Sequence, residues 1–225
     1  MSVLLEKMKP LVDETVRKLD TKQFDPDPIA GKHLSKIVSV MSSAYKRHGH
    51  ILTRSILEQL QSSNRYEVWE EPKFYIHDQA EKLVNRIIQK PENVFDKDLE
   101  YQSSPKTVKI DFIVHDKVNY NIAAYNIKRG NGLYDSGKKN LLLKDVLLVQ
   151  ILLKSYALFK HLKVNDAKSI IIFYYGKRSV VKPFSLIKED LDNHFNFPIL
   201  NEVEKVNEYF KDSLIDMTNK YLTNY

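Results

Sequence analysis

Two apolar segments in the second half of the chain constrain its fold more than any other feature. Residues Lys139 to Leu162 are apolar almost all around a helical wheel, which is typical of a helix buried against a sheet. Ser169 to Tyr175 (SIIIFYY) is a continuous β-branched and aromatic run, which is typical of an interior strand. A buried helix that leads into a buried strand predicts an α/β fold with helices around a central sheet.

Two further strands are predicted just before the buried helix. Val108 to Val114 and Asn119 to Lys128 are rich in strand-forming residues, and Asp116-Lys117 between them is a turn signal. They form a predicted antiparallel hairpin, so the central sheet is expected to be mixed. Extended segments are also expected at Tyr66 to Trp69 and at Phe74 to Ile76, with Pro72 marking a bend or a sheet edge.

Helices are predicted over most of the remaining chain, where apolar residues recur at helical spacing. Asp78 is the expected N-cap of one of them. The predicted helices are Leu4 to Leu19, His33 to Tyr45, a segment from His50 to about Gln61, Gln79 to Ile88, Ser185 to His194, and Glu202 to Tyr221.

Composition restricts the class of protein. The 225 residues are 43% hydrophobic, enough for one compact domain. Two small domains are the alternative, but no long linker divides the sequence. A formal net charge of +6 favours a polyanionic partner, because phosphate contacts supply most non-specific affinity for nucleic acid. The absence of cysteine excludes disulfides, thiolate zinc sites and cysteine nucleophiles. The N-terminal segment is charged throughout, so we expect a cytoplasmic protein without a signal peptide or membrane contact.

Three polar side chains are expected to meet at one end of the predicted hairpin. Asp111 interrupts a strand, where acidic residues are disfavoured. Asn126 and Lys128 lie two residues apart on the next strand and therefore point to the same face. A carboxylate, an amide oxygen and an ammonium group fit a Mg²⁺ site for phosphodiester hydrolysis, since Mg²⁺ prefers oxygen ligands and lysine stabilises the developing phosphate charge.

This arrangement resembles the PD-(D/E)xK nuclease superfamily, which contains most type II restriction endonucleases. The resemblance covers roughly Glu58 to Tyr175 and rests on Asp111, on Asn126-Ile127-Lys128, and on the order helix, three strands, helix, strand. It implies a restriction-endonuclease-like core at about 51–176, elaborated by helical segments at 1–50 and 177–225 within one domain.

The resemblance also implies an activity. The chain would be a metal-dependent endonuclease for double-stranded DNA, with Mg²⁺ or Mn²⁺ held by Asp111 and Asn126, and with Lys128 positioning the attacking water. In this family a glutamate on the helix before the first strand often assists metal binding, and Glu58 occupies such a place. Palindromic cutting would require a symmetric homodimer.

Asn126 departs from the family pattern, which has an acid at this position; Ile110 also replaces the usual proline. A neutral amide binds metal more weakly than a carboxylate. Three alternatives therefore remain open: a restriction enzyme of the Asn-x-Lys type, a degenerate member that binds DNA without cutting it, and an α/β protein unrelated to nucleases. Glu58 could also supply the missing acid.

Basic residues near these elements are candidates for contacts with the DNA backbone. Arg129, Lys138 and Lys139 lie in the loop after the hairpin, where the alternative is a solvated turn capped by Asp135 or Ser136. Lys46 and Arg47 precede the helix of Glu58, where the alternative is an exposed connection between helices. Lys177 and Arg178 follow the interior strand, where the alternative is an ordinary basic strand exit.

Overall fold

The computed structural model describes residues 2–29, 31–130, 132 and 134–222, with only the backbone described at 32, 33, 221 and 222. The chain divides into two compact units. One unit comprises Met1–Gln59 and Phe195–Tyr225, and the other comprises Leu60–His194. The expectation of one domain with a core at about 51–176 stays a prediction.

The described residues form six α-helices and five β-strands. In chain order these are α1 (Val3–Asp20), α2 (Gly31–Gln61), β1 (Tyr66–Tyr75), α3 (Asp78–Ile87), β2 (Thr107–Asp116), β3 (Asn121–Lys128), α4 (Ser136–Phe159), β4 (Asp166–Phe173), β5 (Ser185–Ile187), α5 (Leu191–Phe195) and α6 (Leu200–Leu222). Among the described residues, no helix is both long and apolar enough to cross a membrane.

The prediction of two helices between His33 and Gln61 is wrong, since α2 is a single helix. Val40, Ala44 and His48 are buried at four-residue spacing, and Leu52 and Ile56 continue the same series beyond Gly49. One glycine costs about 1 kcal/mol in a helix interior, which this continuous buried face offsets. Lys46 and Arg47 therefore lie within a helix, not in a flexible connection.

The second unit contains a mixed five-stranded sheet in the order β1-β2-β3-β4-β5. The predicted hairpin is confirmed, because β2 pairs with β3 in antiparallel fashion, with Phe112 opposite Tyr125. β3 pairs with β4 in parallel, and α4 makes the connection between them. The prediction that β4 is an interior strand is confirmed. The mixed α/β class is therefore confirmed, whereas the restriction-endonuclease-like core stays a prediction.

Helix α4 forms the centre of the core on one face of this sheet. Its residues from Val146 to Leu153 are all buried, which confirms a helix buried on every side over this stretch. They share one apolar cluster with sheet residues that include Ile113, Ala124 and Ile171. The helix ends at Phe159 because His161 adopts a left-handed backbone (φ 58°).

Three local predictions need correction. Tyr66 to Tyr75 is one strand at the sheet edge, with register shifts on either side of Glu71 that accommodate Pro72. Ser185 begins a strand, not a helix, because the segment pairs in parallel with Ile171 to Phe173. His77, not Asp78, caps α3, since its ring nitrogen Nδ1 accepts the backbone N–H of Ala80 at 3.3 Å.

The turn between β2 and β3 is held by Asp116, whose ionisation should contribute to stability. Burial alone would raise the pKa of this carboxyl, but hydrogen bonds from Arg65 and from the backbone N–H groups of Val118 and Asn119 lower the pKa to about 2. A depressed pKa in the folded state stabilises the protein above the ordinary pKa of 3.8.

We therefore expect this part of the stability, about 2 kcal/mol, to be lost as the pH falls from about 4 to about 2. Urea unfolding measured at several pH values should show that Asp116→Asn flattens the dependence in this window. Asp96→Asn, at an exposed position, is the control. An unchanged slope in Asp116→Asn would contradict the expectation.

Candidate active site

The backbone ladder between β2 and β3 ends next to two of the predicted site residues. Going away from the turn at Asp116, the last backbone pair of the two strands is Phe112 with Tyr125. Beyond it, Asn126 Oδ1 accepts the backbone N–H of Asp111 at 3.0 Å, and Asp111 Oδ2 accepts the backbone N–H of Ile127 at 2.8 Å. Each polar side chain thus replaces a backbone partner on the opposite strand, and the two strands separate at this point.

Lys128 lies on the same face of β3 as Asn126. Ile122 and Ala124, four and two residues before Asn126, pack into the core beneath α4. Because every second residue of a strand points to the same face, Asn126 and Lys128 also point toward α4. The Cα atoms of Asn126 and Lys128 are roughly 7 Å apart at ordinary strand rise. The structure therefore brings Asp111 and Asn126 into direct contact and places Lys128 on the same face, two residues further along β3.

Asp145 on α4 is a neighbour of this site that sequence reasoning missed. Burial raises the pKa of its carboxyl, and the positive charges of Lys128 and Lys144 act in the opposite direction. Although Asp145 is exposed, its carboxyl thus lies within electrostatic range of Lys128. In the sequence, Asp145 is indistinguishable from a simple polar interruption of an apolar helix.

Two side-chain oxygens at this site are available as candidate metal ligands. Among the described residues, no cluster of three histidine or acidic side chains could hold a metal. Asp111 Oδ1 has the ammonium group of Lys109 at 3.8 Å, and the amide oxygen of Asn126 keeps a second lone pair. Mg²⁺ is often bound by one or two carboxylates, several waters and substrate phosphates, which suits these two oxygens.

Glu58, the predicted third ligand, belongs to the other compact unit. Its carboxylate is buried and forms ion pairs with Lys7 and with Arg54, the latter at 2.5 Å. These two cations balance its charge locally. Its role as a metal ligand stays a prediction, as do the contacts of Lys46 and Arg47 with DNA.

The basic loop after β3 leads directly into α4. Residues 131 and 133 of this loop lie outside the part of the chain that is described. Asp135 caps α4 by accepting the backbone N–H of Lys138 at 2.9 Å, as expected for a capped turn. The Lys138 ammonium group lies 5.9 Å from the ring centre of Tyr134, and the side chain is exposed together with part of Lys139.

The ends of β3, β4 and β5 bring together two cations and one aromatic ring. The guanidinium carbon of Arg129 lies 5.3 Å from the ring centre of Tyr175, and the Lys188 ammonium group lies 5.7 Å from it. Such cation–π contacts allow two like charges to lie close to each other. Sequence reasoning missed Lys188 because its segment is predicted to be helical, away from any strand end.

Arg178 has a different surrounding from the other predicted DNA contacts. Its guanidinium group binds Asp190 at 2.8 Å and donates to the backbone oxygen of Ser185, so it ties β5 to the segment after β4. Lys177 is exposed next to it. Contacts of either residue with DNA stay predictions.

Comparisons with known proteins gave no further assignment. No protein-family model, no curated protein and no solved structure matches this chain.

Proposed function

We propose that this protein is a metal-dependent endonuclease that hydrolyses phosphodiester bonds in double-stranded DNA, as type II restriction enzymes do. The observation that carries the proposal is a pair of hydrogen bonds at the point where the pairing of β2 and β3 ends. Asn126 Oδ1 accepts the backbone N–H of Asp111, and Asp111 Oδ2 accepts the backbone N–H of Ile127. A carboxylate and an amide oxygen at the place where two strands stop pairing, with a lysine two residues further along β3, are chemically suited to a metal ion and a phosphate group.

The chain's own residues have separate tasks in this proposal. Asp111 and Asn126 would hold Mg²⁺ or Mn²⁺, which when bound polarises the phosphate and positions a water molecule. Lys128 donates hydrogen bonds to that water or to a phosphate oxygen, and its charge offsets the negative charge that develops during displacement. Asp145 lies within electrostatic range of this ammonium group, whose charge opposes the rise that burial causes in the pKa of Asp145.

The cations at the strand ends would hold the flanking DNA. Arg129 and Lys188 lie beside Tyr175 at the edge where Lys128 ends β3. Hydrogen bonds to phosphate fix the register of a protein on DNA without reading its sequence. Cutting both strands at a palindromic site would take two copies of the chain, so we also propose a homodimer.

The second candidate function is DNA binding without cleavage. It is favoured because each of the two side chains that would bind the metal already accepts a backbone hydrogen bond through one oxygen. It is also favoured by the neutral amide at Asn126, which removes one negative charge from the metal-binding set. The same basic residues would then serve binding alone.

A plasmid assay separates the two candidates. The protein is incubated with plasmid and mixed-sequence DNA in Mg²⁺, in Mn²⁺ and in a chelator, together with Asp111→Asn. This variant keeps an acceptor for the backbone N–H of Ile127 but loses the negative charge, so it should fold normally and cut on the order of 100-fold more slowly or not at all.

The control variant is Asp96→Asn, which removes an exposed carboxylate from the same unit. Cleavage that persists in the chelator, or that Asp111→Asn leaves unchanged, would overturn the metal-dependent mechanism. Tight binding to DNA without cleavage would support the second candidate. A protein that neither cuts nor binds DNA would exclude both candidate functions.

A further inference from the structure

A cleft of about 440 Å³ lies on the sheet face opposite to the candidate active site. It is lined by residues of β4, β5 and the segment through α5, all within the unit Leu60–His194. Lys168 and Ile170 of β4 line this cleft, whereas Ala167 and Ile171 pack into the core under α4, so the two sets point to opposite faces. We call this the β4–β5 cleft; its volume is in the range of small-molecule sites.

The charges around the β4–β5 cleft favour an anion. Asp190, the acidic residue of its lining, is already bound by Arg178 at 2.8 Å and by the backbone N–H of Ile187 at 3.0 Å. Lys168 has Asp166 at 3.3 Å on the surface. Lys182 lies within electrostatic range of Asp190 but forms no ion pair within the described part of the chain. The uncompensated charge of the cleft is therefore positive.

His194 and Asn193 add hydrogen-bonding groups to the same cleft. The buried hydroxyl of Tyr125 lies 2.8 Å from His194 Nε2. Burial raises the pKa of this phenol, so it keeps its proton and shares one hydrogen bond with the imidazole. The imidazole of His194 and the amide of Asn193 thus bring polar nitrogen atoms to the wall of the cleft.

Apolar side chains form the rest of the wall. Ile170, Pro183 and Leu186 line the cleft beside the two lysines. A site with an apolar wall and a few convergent polar groups suits an organic molecule with a charged end, not a bare ion. The cleft is also larger than a phosphate group needs.

We propose that the β4–β5 cleft binds a small phosphorylated ligand of the size of a nucleoside monophosphate. Lys168 and Lys182 contact the phosphate, Asn193 and His194 form hydrogen bonds with it or with the sugar, and the ring system lies on the apolar wall. The phosphate could belong to a free nucleotide or to the 5′ end of a DNA strand. The site does not depend on cleavage at Asp111, since it lies on the other face of the sheet.

Isothermal titration with the full chain tests the proposal. The probes are adenosine monophosphate, adenosine, inorganic phosphate, and a short single-stranded oligonucleotide with or without a 5′ phosphate. We expect adenosine monophosphate to bind, adenosine to bind far more weakly, and Lys182→Ala to raise Kd by about tenfold or more, as the loss of a charge-assisted hydrogen bond implies. Lys168→Ala should act in the same direction.

Lys73→Ala is the matched control, since Lys73 is an exposed lysine on β1, at the opposite edge of the sheet. Preference for the 5′-phosphorylated oligonucleotide over the free nucleotide would assign the cleft to a DNA end, and the reverse would assign it to a free nucleotide. Absence of phosphate-dependent binding at millimolar ligand, or equal Kd values in Lys182→Ala, Lys168→Ala and the wild type, would overturn the proposal.

Discussion

Replacing Lys128 with alanine is expected to reduce the rate of DNA cleavage by about 10²- to 10³-fold, the usual effect of removing one donor that stabilises a developing oxyanion. Lys128 is half-buried at the end of β3, beside Asn126 and within electrostatic range of Asp145. Its side chain forms no hydrogen bond or ion pair within the described residues. Its removal should therefore affect the reaction much more than the stability of the fold.

The measurement is single-turnover cleavage of plasmid in Mg²⁺, with DNA affinity determined separately in the absence of metal. We expect Lys128→Ala to keep most of its affinity for DNA, because a single phosphate contact is a small part of the total. Lys117→Ala, at an exposed position in the turn at the opposite end of β2 and β3, should match the wild type in both assays. A Lys128→Ala protein that folds, binds DNA and cuts at the wild-type rate would remove Lys128 from the mechanism.

Replacing Gly176 with alanine is expected to destabilise the protein by about 1–3 kcal/mol, as overpacking does in tightly packed sites. A Cβ atom at this position would lie 2.4 Å from the backbone oxygen of Gly130. Backbone cannot move aside as the end of a side chain can, so the segments that follow β3 and β4 would have to separate. Lys128 and Arg129 immediately precede Gly130, and we therefore also expect slower cleavage.

Urea unfolding of Gly176→Ala measures this effect, and Gly49→Ala provides a control of opposite sign. Gly49 lies within α2, and apart from the backbone of its own helix no atom comes within 4 Å of the place that a Cβ atom would take. Alanine should therefore stabilise this helix by roughly 0.5–1 kcal/mol. If Gly176→Ala were as stable as the wild type, the close approach of the two segments would not be a constraint on the fold.

Much of the fold is predictable because local pattern and tertiary environment agree. The hairpin of β2 and β3, the buried helix α4 and the interior strand β4 all have side-chain periodicity that matches their burial. The predicted secondary structure differs from the observed one where contacts with another part of the fold decide the local structure. Ser185 to Ile187 is a strand because β4 offers it a partner, and Gly49 stays helical because the buried face of α2 continues on both sides of it.

The candidate site was predictable in part for the same reason. Strand alternation places Asn126 and Lys128 on one face, and hairpin pairing places Asp111 opposite Asn126. Spacing along the chain contains no information about a residue such as Asp145 or Lys188, which reaches its neighbours only through packing of another element. Nor does spacing show that side-chain oxygens of Asp111 and Asn126 already accept hydrogen bonds from backbone N–H groups.

That pairing has a consequence for hydrogen exchange. The amide protons of Asp111 and Ile127 are held by side-chain oxygens, so their protection depends on what else those oxygens bind. A ligand that draws the Asp111 carboxylate away from Ile127 would leave that amide open to exchange with solvent. These two backbone amides can thus report on occupancy of the site in the absence of any substrate.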